Sequence, residues 1–346
     1  MLRIGVIRDE RFLEHKPGHT HPEHPHRLRV IYKMLDKEFE NDLIPIEPKL
    51  ASLEQLELVH TPTYIKKVFK TAEHNFSCLA PDTPASAKTY YAACLAAGGC
   101  VEGLNAVVSK LCDVCFCLVR PPGHHALADR AGGFCIFNNA AITARHAIKA
   151  YKMRRIFILD FDVHHGNGVN DLFYDCKEVI YMSTHDNFLY PYTGDWDETG
   201  SGGGEGYTIN IPILRQFNDE DLFYIYREIS RDVFYRFRPE LIIVCAGFDA
   251  HERDPIGRSH MTEKLYGWLT HLFLSLRADI NSPPLLFVLE GGYDFRGLGY
   301  SVREVLTAMT RHSDKAILPD AESDQGRMVV EKVRNIHKRY GVWVDQ

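Results

Sequence analysis

The chain reads as an α/β protein built on a mostly parallel sheet, and three observations lead there. Short apolar runs bounded by turn residues recur at 114–119, 156–159, 178–183, 207–211, 241–245 and 285–289. Stretches with helical spacing fall between these runs, and strands alternating with helices are the pattern of parallel sheets with crossover helices. Four of the runs end in polar clusters, which is where strands of such sheets meet their ligands.

Taken in order, residues 2–7 read as a first strand. Residues 14–27, EHKPGHTHPEHPHR, hold five histidines and three prolines, and proline at that density predicts a loop. Helical spacing resumes at Arg27 in RLRVIYKMLDKEFE, and 52–71 reads as two short helices broken at Pro62. The alanine-rich stretch 86–109 predicts a long helix, with Gly98 and Gly99 marking a close packing contact. After the strand at 114–119 come a loop over 120–138, a helix over 139–152, the strand at 156–159, a short helix near 167–174 and the strand at 178–183. The loop at 185–206 ends in TGSGGGEG. It lacks the Gly-Lys-Ser/Thr of a phosphate loop and reads as a flexible connection. Strands at 207–211, 241–245 and 285–289 then alternate with helices at 218–237, 261–277, 296–310 and 321–339.

Composition sets the class. With 346 residues, 45% of them hydrophobic and 25% charged, the chain supports a core of ordinary size. No repeat, linker or low-complexity tract interrupts it, so one domain over 1–346 is expected. The net charge of −6 gives no nucleic-acid surface. No apolar run nears the ~20 residues of a membrane span, and the start is too short and charged for a signal peptide. The nine cysteines are mostly set in apolar or helical patterns. They predict buried thiols in a reducing compartment: cytoplasmic, not secreted, with the nucleus open to a eukaryotic chain. Cys112, Cys115 and Cys117 (CDVCFC) look like a metal cluster, but the last two lie in an interior strand, where a small soft hydrophobe fits.

The chemistry gathers at four strand ends: Arg120-Pro-Pro-Gly-His124-His125, Asp160-Phe-Asp162-Val-His164-His165, Phe248-Asp249-Ala-His251 and Glu290-Gly-Gly-Tyr293. In a parallel sheet these ends share one edge, so they meet in one crevice. Asp162, His164 and Asp249 make a set of one imidazole and two carboxylates. Three protein ligands with an open position suit catalytic zinc, and the oxygen-rich set also suits iron(II) or manganese. His124 and His125 can serve as general base and acid beside a metal, each oriented by a partner; Asp160 and Asn167 are the candidates. The Gly-Gly before Tyr293 lets the chain turn and present a phenol suited to an oxyanion. Together these residues predict metal-assisted hydrolysis of a carbonyl compound. No Gly-x-Ser-x-Gly elbow is present, which argues against a serine hydrolase.

These residues resemble the histone deacetylase superfamily, including bacterial deacetylase-like amidohydrolases and acetylpolyamine amidohydrolases. The resemblance rests on Pro-Pro-Gly-His124-His125, Gly133-Phe134-Cys-Ile-Phe-Asn-Asn139, Asp160 to Gly168, Gly247-Phe-Asp249 with Asp254-Pro255, Glu290-Gly-Gly-Tyr293, and His21 to Arg27. It runs in order from about residue 15 to 310. It implies a three-layer α/β/α, arginase-like fold and hydrolysis of N-acyl groups from amines. Carried over by position, Asp162, His164 and Asp249 would bind one zinc per chain, with iron(II) or cobalt(II) as substitutes. His125 would be the general base and later the acid. His124, paired with Asp160, would stay protonated, and Tyr293 would clamp the substrate carbonyl. Phe134 and Tyr190 would wall an acyl-chain tunnel, Asp82 would sit at its rim and accept substrate amide hydrogen bonds, and Gly292 and Ile256 would lie along the substrate. Arg27 would lie behind the metal, near the cavity for the released acid. Asp160, Ser183 and the backbone of Asp162, His164 and Thr184 resemble a structural potassium site.

Asn167 stands where many members have Asp, and Glu290 where the class I branch has Gly; both resemble the class II branch and its bacterial relatives. An Asn beside His125 removes a negative charge and should leave that imidazole easier to deprotonate. The expected substrate is an acylated lysine in a peptide or protein, or else an acetylated small amine such as a polyamine. The polyamine reading ranks second, because a cationic chain wants a carboxylate-rich rim and Ile256 is apolar. A two-metal ureohydrolase of the arginase type would need carboxylates at Gly166 and His251. An inactive binding module would have lost a ligand or the tyrosine, and all are present.

Overall fold

Strands β1 (Ile4–Ile7) and β2 (Leu43–Ile46) are followed by a small hairpin, β3 (Ser77–Ala80) and β4 (Thr83–Ala85). The later strands are β5 (Val114–Cys117), β6 (Ile156–Asp160), β7 (Val179–His185), β8 (Thr208–Pro212), β9 (Leu241–Ala246) and β10 (Leu285–Leu289). All but the hairpin join one parallel sheet, ordered β2-β1-β5-β10-β9-β6-β7-β8. This computed structural model describes residues 2–312, 318–320 and 322–345.

Helices cover the sheet in two groups. One contains α2 (Leu53–Leu56), α4 (Thr89–Val108), α5 (Asn139–Tyr151) and α6 (Asn167–Phe173). The other runs α1 (His26–Glu38), α9 (Phe295–Thr310), α8 (Glu263–Asp279), α7 (Asp219–Arg236) and α10 (Asp324–His337), each packed on the next. Helix α3 (Pro62–Phe69) precedes the hairpin. Cover on both faces explains why β5, β6, β9 and β10 are continuously apolar up to their ends and fully buried.

The parallel sheet matches expectation, with one strand more than foreseen. Pro45 argues against a strand, yet β2 is tolerated because it is an edge strand paired only with β1. The hairpin was also unforeseen, its strands being too short to carry an alternation. Helix α4 starts at Thr89, three residues later than its composition suggests, because the Thr89 hydroxyl accepts the Ser86 N–H at 2.7 Å. The close contact at Gly98 is real: a Cβ there would strike the Lys49 carbonyl.

Two expectations need correction. Helix α4 is long and apolar enough, by length and composition, to cross a membrane, contrary to the reading that no run approaches that length. Most of it is buried against the sheet and neighbouring helices, which explains its apolarity here. The loop at 185–206 is not a loose connection. Tyr340 bonds Thr199 hydroxyl to hydroxyl at 2.7 Å, Lys332 sits 4.0 Å over the Trp196 ring, and Gly202–Gly204 forms a short 3-10 turn. Helix α10 and Tyr340 just after it clasp this loop. Eight of the nine cysteines are buried and free, and Cys78 is exposed.

Candidate active site

Strands β5, β10, β9 and β6 are neighbours at the centre of the sheet, so their four polar ends do converge. Asp162 and His164 follow β6, and Asp249 follows β9. His164 Nδ1 lies 3.0 Å from Asp162 Oδ1 and 3.0 Å from Asp249 Oδ2. Gly291 N–H donates to Asp162 Oδ2 at 2.9 Å, and Val163 N–H to Asp249 Oδ1 at 2.9 Å, which orients both carboxylates. Burial works against charge on His164, yet Asp249 and Asp162 hold its imidazole well above the ordinary value. Burial and the Asp162 charge push Asp249 up to about 7. Charge on this buried imidazole is favoured by two carboxylates, at a point where three donor atoms converge. A divalent ion supplies such positive charge well, and one nitrogen with two carboxylate oxygens suits zinc or iron(II).

His124 Nδ1 lies 3.0 Å from Asp160 Oδ2, and its Nε2 lies 3.8 Å from Asp162 Oδ2. Burial opposes the charge on His124, but Asp162 and Asp160 outweigh it and hold the imidazole up to about 10. His125 Nδ1 lies 2.8 Å from Asn167 Oδ1. The amide oxygen can only accept, so the proton sits on Nδ1 and the Nε2 lone pair is free. Burial, then the charges of His124 and His164, hold His125 well below its ordinary value. One carboxylate and one amide thus partner two adjacent histidines whose pKa values are pushed in opposite directions.

Tyr293 is reached through Gly292, whose φ of +116° favours glycine. Asp254 Oδ2 accepts the N–H of Tyr293 at 2.6 Å and of Asp294 at 3.2 Å, while its Oδ1 accepts those of Ile256 and Gly257. Ile256 is therefore tied by its backbone to the carboxylate that holds Tyr293. Arg27 donates to the carbonyls of Gly292 at 2.6 Å and Glu290 at 2.5 Å, and lies 5.0 Å from the Tyr293 ring centroid. It braces the turn from behind. Burial pushes the Tyr293 phenol well up, with the Arg27 charge opposing, so it stays a donor.

Phe134 and Tyr190 both flank the crevice. The Phe134 ring meets Tyr293 edge-on at 5.5 Å, and Tyr190 meets His125 edge-on at 5.0 Å. Phe134 holds φ at +68°, uncommon for a bulky residue, and Gly133 before it lies where a Cβ would strike His125. The β3–β4 turn supports this strained pair: Asp82 Oδ2 accepts Gly133 N–H at 3.0 Å, and the Thr83 hydroxyl accepts Phe134 N–H at 3.1 Å. Asp82 is half-buried, and its carboxylate already holds the chain's own Gly133 and the Thr83 hydroxyl. The residues of the expected potassium site are buried together. Ser183 Oγ lies 2.9 Å from His185 Nδ1, and the Tyr226 hydroxyl bridges Thr184 to the Asp160 carbonyl.

Three groups were not foreseen. Glu23 lies between the buried guanidiniums of Arg120 and Arg27, beside His15 at 3.4 Å. Burial would raise the Glu23 carboxyl, but Arg120 and His15 hold it far below the carboxylate range. The Asp254 carboxylate carries Tyr293. The Glu290 carboxylate accepts the N–H groups of Gly123 at 2.7 Å and His124 at 3.1 Å through Oε2. All three stand inside motifs noted above, but only the fold shows what they hold. Of the carboxylate positions a two-metal site would need, Gly166 has no side chain and His251 faces Glu263 at 3.2 Å.

The family model described as the histone deacetylase domain matches residues 21–309. The chain belongs to the histone deacetylase family. It is 35% identical to a probable deacetylase of Archaeoglobus fulgidus over 97% of this chain and 98% of that one. It is 39% identical to a probable deacetylase of Methanothermobacter thermautotrophicus over 81% of this chain and 83% of that protein. It is 35% identical to histone deacetylase 15 of Arabidopsis thaliana over 96% of this chain, spanning 61% of that protein. The crystal structure of the HDA15 HD domain superposes with a TM-score of 0.90 at 34% identity, covering 99% of this chain and 96% of that domain. The chain is thus a deacetylating hydrolase of histone deacetylase fold. Every site residue from Arg27 to Tyr293 falls inside the deacetylase match, whereas α10, which clasps the 185–206 loop, lies beyond it.

Proposed function

We propose that this chain is a zinc-dependent deacylase of N6-acyl-lysine side chains in peptides or proteins. The observation that carries the reading is the pairing of His124 with the Asp160 carboxylate and of His125 with the Asn167 amide oxygen, both beside the Asp162–His164–Asp249 cluster. Those three residues would hold the ion, which supplies Lewis acidity to the acyl carbonyl and to water. His125, neutral with Nε2 free, takes the proton of the attacking water and returns it to the leaving amine. His124, kept charged by Asp160, stabilises negative charge without giving up its proton. Tyr293 donates its phenolic hydrogen to the carbonyl oxygen as that oxygen becomes an anion. Phe134 and Tyr190 line the approach with rings that suit the methylenes of a lysine side chain. Arg27 keeps the Tyr293 turn in place and borders the region where the acid product leaves. A potassium ion at Asp160, Ser183 and the backbone of Asp162, His164 and Thr184 would stiffen the loop that carries the ligands. The buried free cysteines favour a reducing, cytoplasmic setting.

The second reading, an acetylpolyamine hydrolase, draws on one observation: Asp195 and Asp197 are exposed on the clasped loop that also carries Tyr190. Against it, the Asp82 carboxylate is already engaged and Ile256 adds no charge. Acetyl-lysine peptides should give a higher kcat/KM than acetylputrescine or acetylspermidine. A tenfold advantage for the polyamines would reverse the ranking and point to Asp195 and Asp197.

A further inference from the structure

We propose that His124, Cys135 and Glu290 form a second divalent-metal site under the catalytic cleft, at which a thiophilic ion such as zinc inhibits the enzyme. One imidazole nitrogen, one sulfur and one carboxylate oxygen lie within 4.8 Å of one another, and all three residues are buried. Glu290 carries the independent sign of a ligand. Its Oε2 accepts two backbone N–H groups, whereas its Oε1 is buried without a hydrogen-bond partner. A bare buried carboxylate oxygen is costly, and the deacylation chemistry gives it no task. Cys135 has no task there either.

The donors are held in place before any ion arrives. Backbone bonds in both directions between Cys135 and Gly132 fix the cysteine. Glu290 N–H donates to the Ala246 carbonyl at 3.0 Å, and Arg27 holds the Glu290 carbonyl. Nitrogen, sulfur and oxygen donors with a fourth position open are a zinc set, and the sulfur discriminates against magnesium and calcium. Binding forms metal–nitrogen, metal–sulfur and metal–oxygen bonds; the thiol proton and the imidazole proton leave to solvent. A glycine at position 290, as in the class I branch, would remove the site.

The inhibitory effect rests on the deacylase reading, because it comes from taking His124 out of the chemistry; the binding does not. The enzyme is loaded with one equivalent of cobalt(II) and then titrated with more. A second equivalent should add a near-ultraviolet thiolate-to-cobalt absorption and cut the rate on the order of 10²-fold, the scale of a lost acid–base group. Cys135→Ser and Glu290→Gln should keep the first equivalent and lose the second. An unchanged band in Cys135→Ser, or no second equivalent in the wild type, overturns the site. Wild-type crystals soaked in excess zinc provide a check without variants: anomalous density among the three side chains is expected, and its absence counts against the site. Asp249→Ala separates the two readings. It should lose the first equivalent and keep the thiolate band; a band that vanishes with the first ion overturns an independent site.

Discussion

The two edges of the central sheet carry charged residues to opposite ends. At the amino edge, Arg3 pairs with Asp113, Arg155 with Glu240 and Arg154 with Glu178, each pair linking the starts of neighbouring strands. These pairs stand in solvent, one cation to one anion. At the carboxyl edge Asp160, Asp162, Asp249 and Glu290 are almost wholly buried. Exposed pairs contribute little, because water already solvates both partners. Buried carboxylates must find protons, N–H donors or metal ions. Burial of charge, rather than charge itself, therefore distinguishes the working edge from the structural one.

Removing a ligand should break the comparison most completely. Asp249→Ala should lose the bound ion and with it all measurable deacylation, and a chelator should reproduce the loss until zinc, cobalt(II) or iron(II) is restored. Full activity in metal-free protein would sink the mechanism. Tyr293→Phe comes next. Losing one oxyanion donor typically costs about 10²–10³ in kcat, so the variant should bind metal and fold normally yet turn over that much more slowly. An unchanged kcat would take the phenol away from the carbonyl.

Asn167→Asp sharpens the comparison by adding one carboxylate to the buried edge. His125 is held well below its ordinary value by burial and by the charges of His124 and His164. A carboxylate in hydrogen-bond reach of Nδ1 favours the imidazolium, so the pKa of His125 rises. The base must be neutral to work, so activity is lost as pH falls through that pKa. The acid limb of kcat/KM should therefore move to higher pH, by ~1 unit or more on the usual scale of such pairs. A pH–rate profile measures this, and an unmoved acid limb would show that His125 is not the base.

How much of this was legible in the sequence follows from where each residue gets its partner. The strands of the sheet centre could be read because burial on both faces leaves an unbroken apolar run. The Asp162–His164–Asp249 cluster and the His124–Asp160 and His125–Asn167 pairs could be read because each sits in a strand-end motif of fixed spacing. Glu23 could not be read so: its partner Arg120 lies 97 positions away, and nothing local marks either as buried. Asp254 looks like an ordinary turn residue until its oxygens are seen to hold Tyr293. The left-handed φ of Phe134 defies its own preference and is imposed by the β3–β4 turn, whose strands were too short to notice. The clasp on 185–206 escaped because glycine-rich composition reports freedom in the isolated chain and says nothing of Lys332 on α10 and Tyr340 just after it.

The smallest effect is expected at the amino edge. Arg155→Ala removes an ion pair with Glu240 of 3.5 Å, whose side chains are 46% and 38% exposed. Exposed pairs of this kind contribute at most ~1 kcal/mol. Arg155 also donates to the Arg238 carbonyl at 2.9 Å, but that oxygen can turn to water once the guanidinium is gone. The urea midpoint should fall only slightly, and added salt should shrink the difference, because it screens the wild-type pair. Activity should not change. Strand β6 separates Arg155 from the catalytic edge by five residues, about 16 Å of extended chain, which exceeds the roughly 8 Å Debye length at physiological salt. A tenfold loss of kcat/KM in a folded Arg155→Ala protein would mean that the strand transmits strain from one edge to the other, and the two edges could no longer be treated as independent.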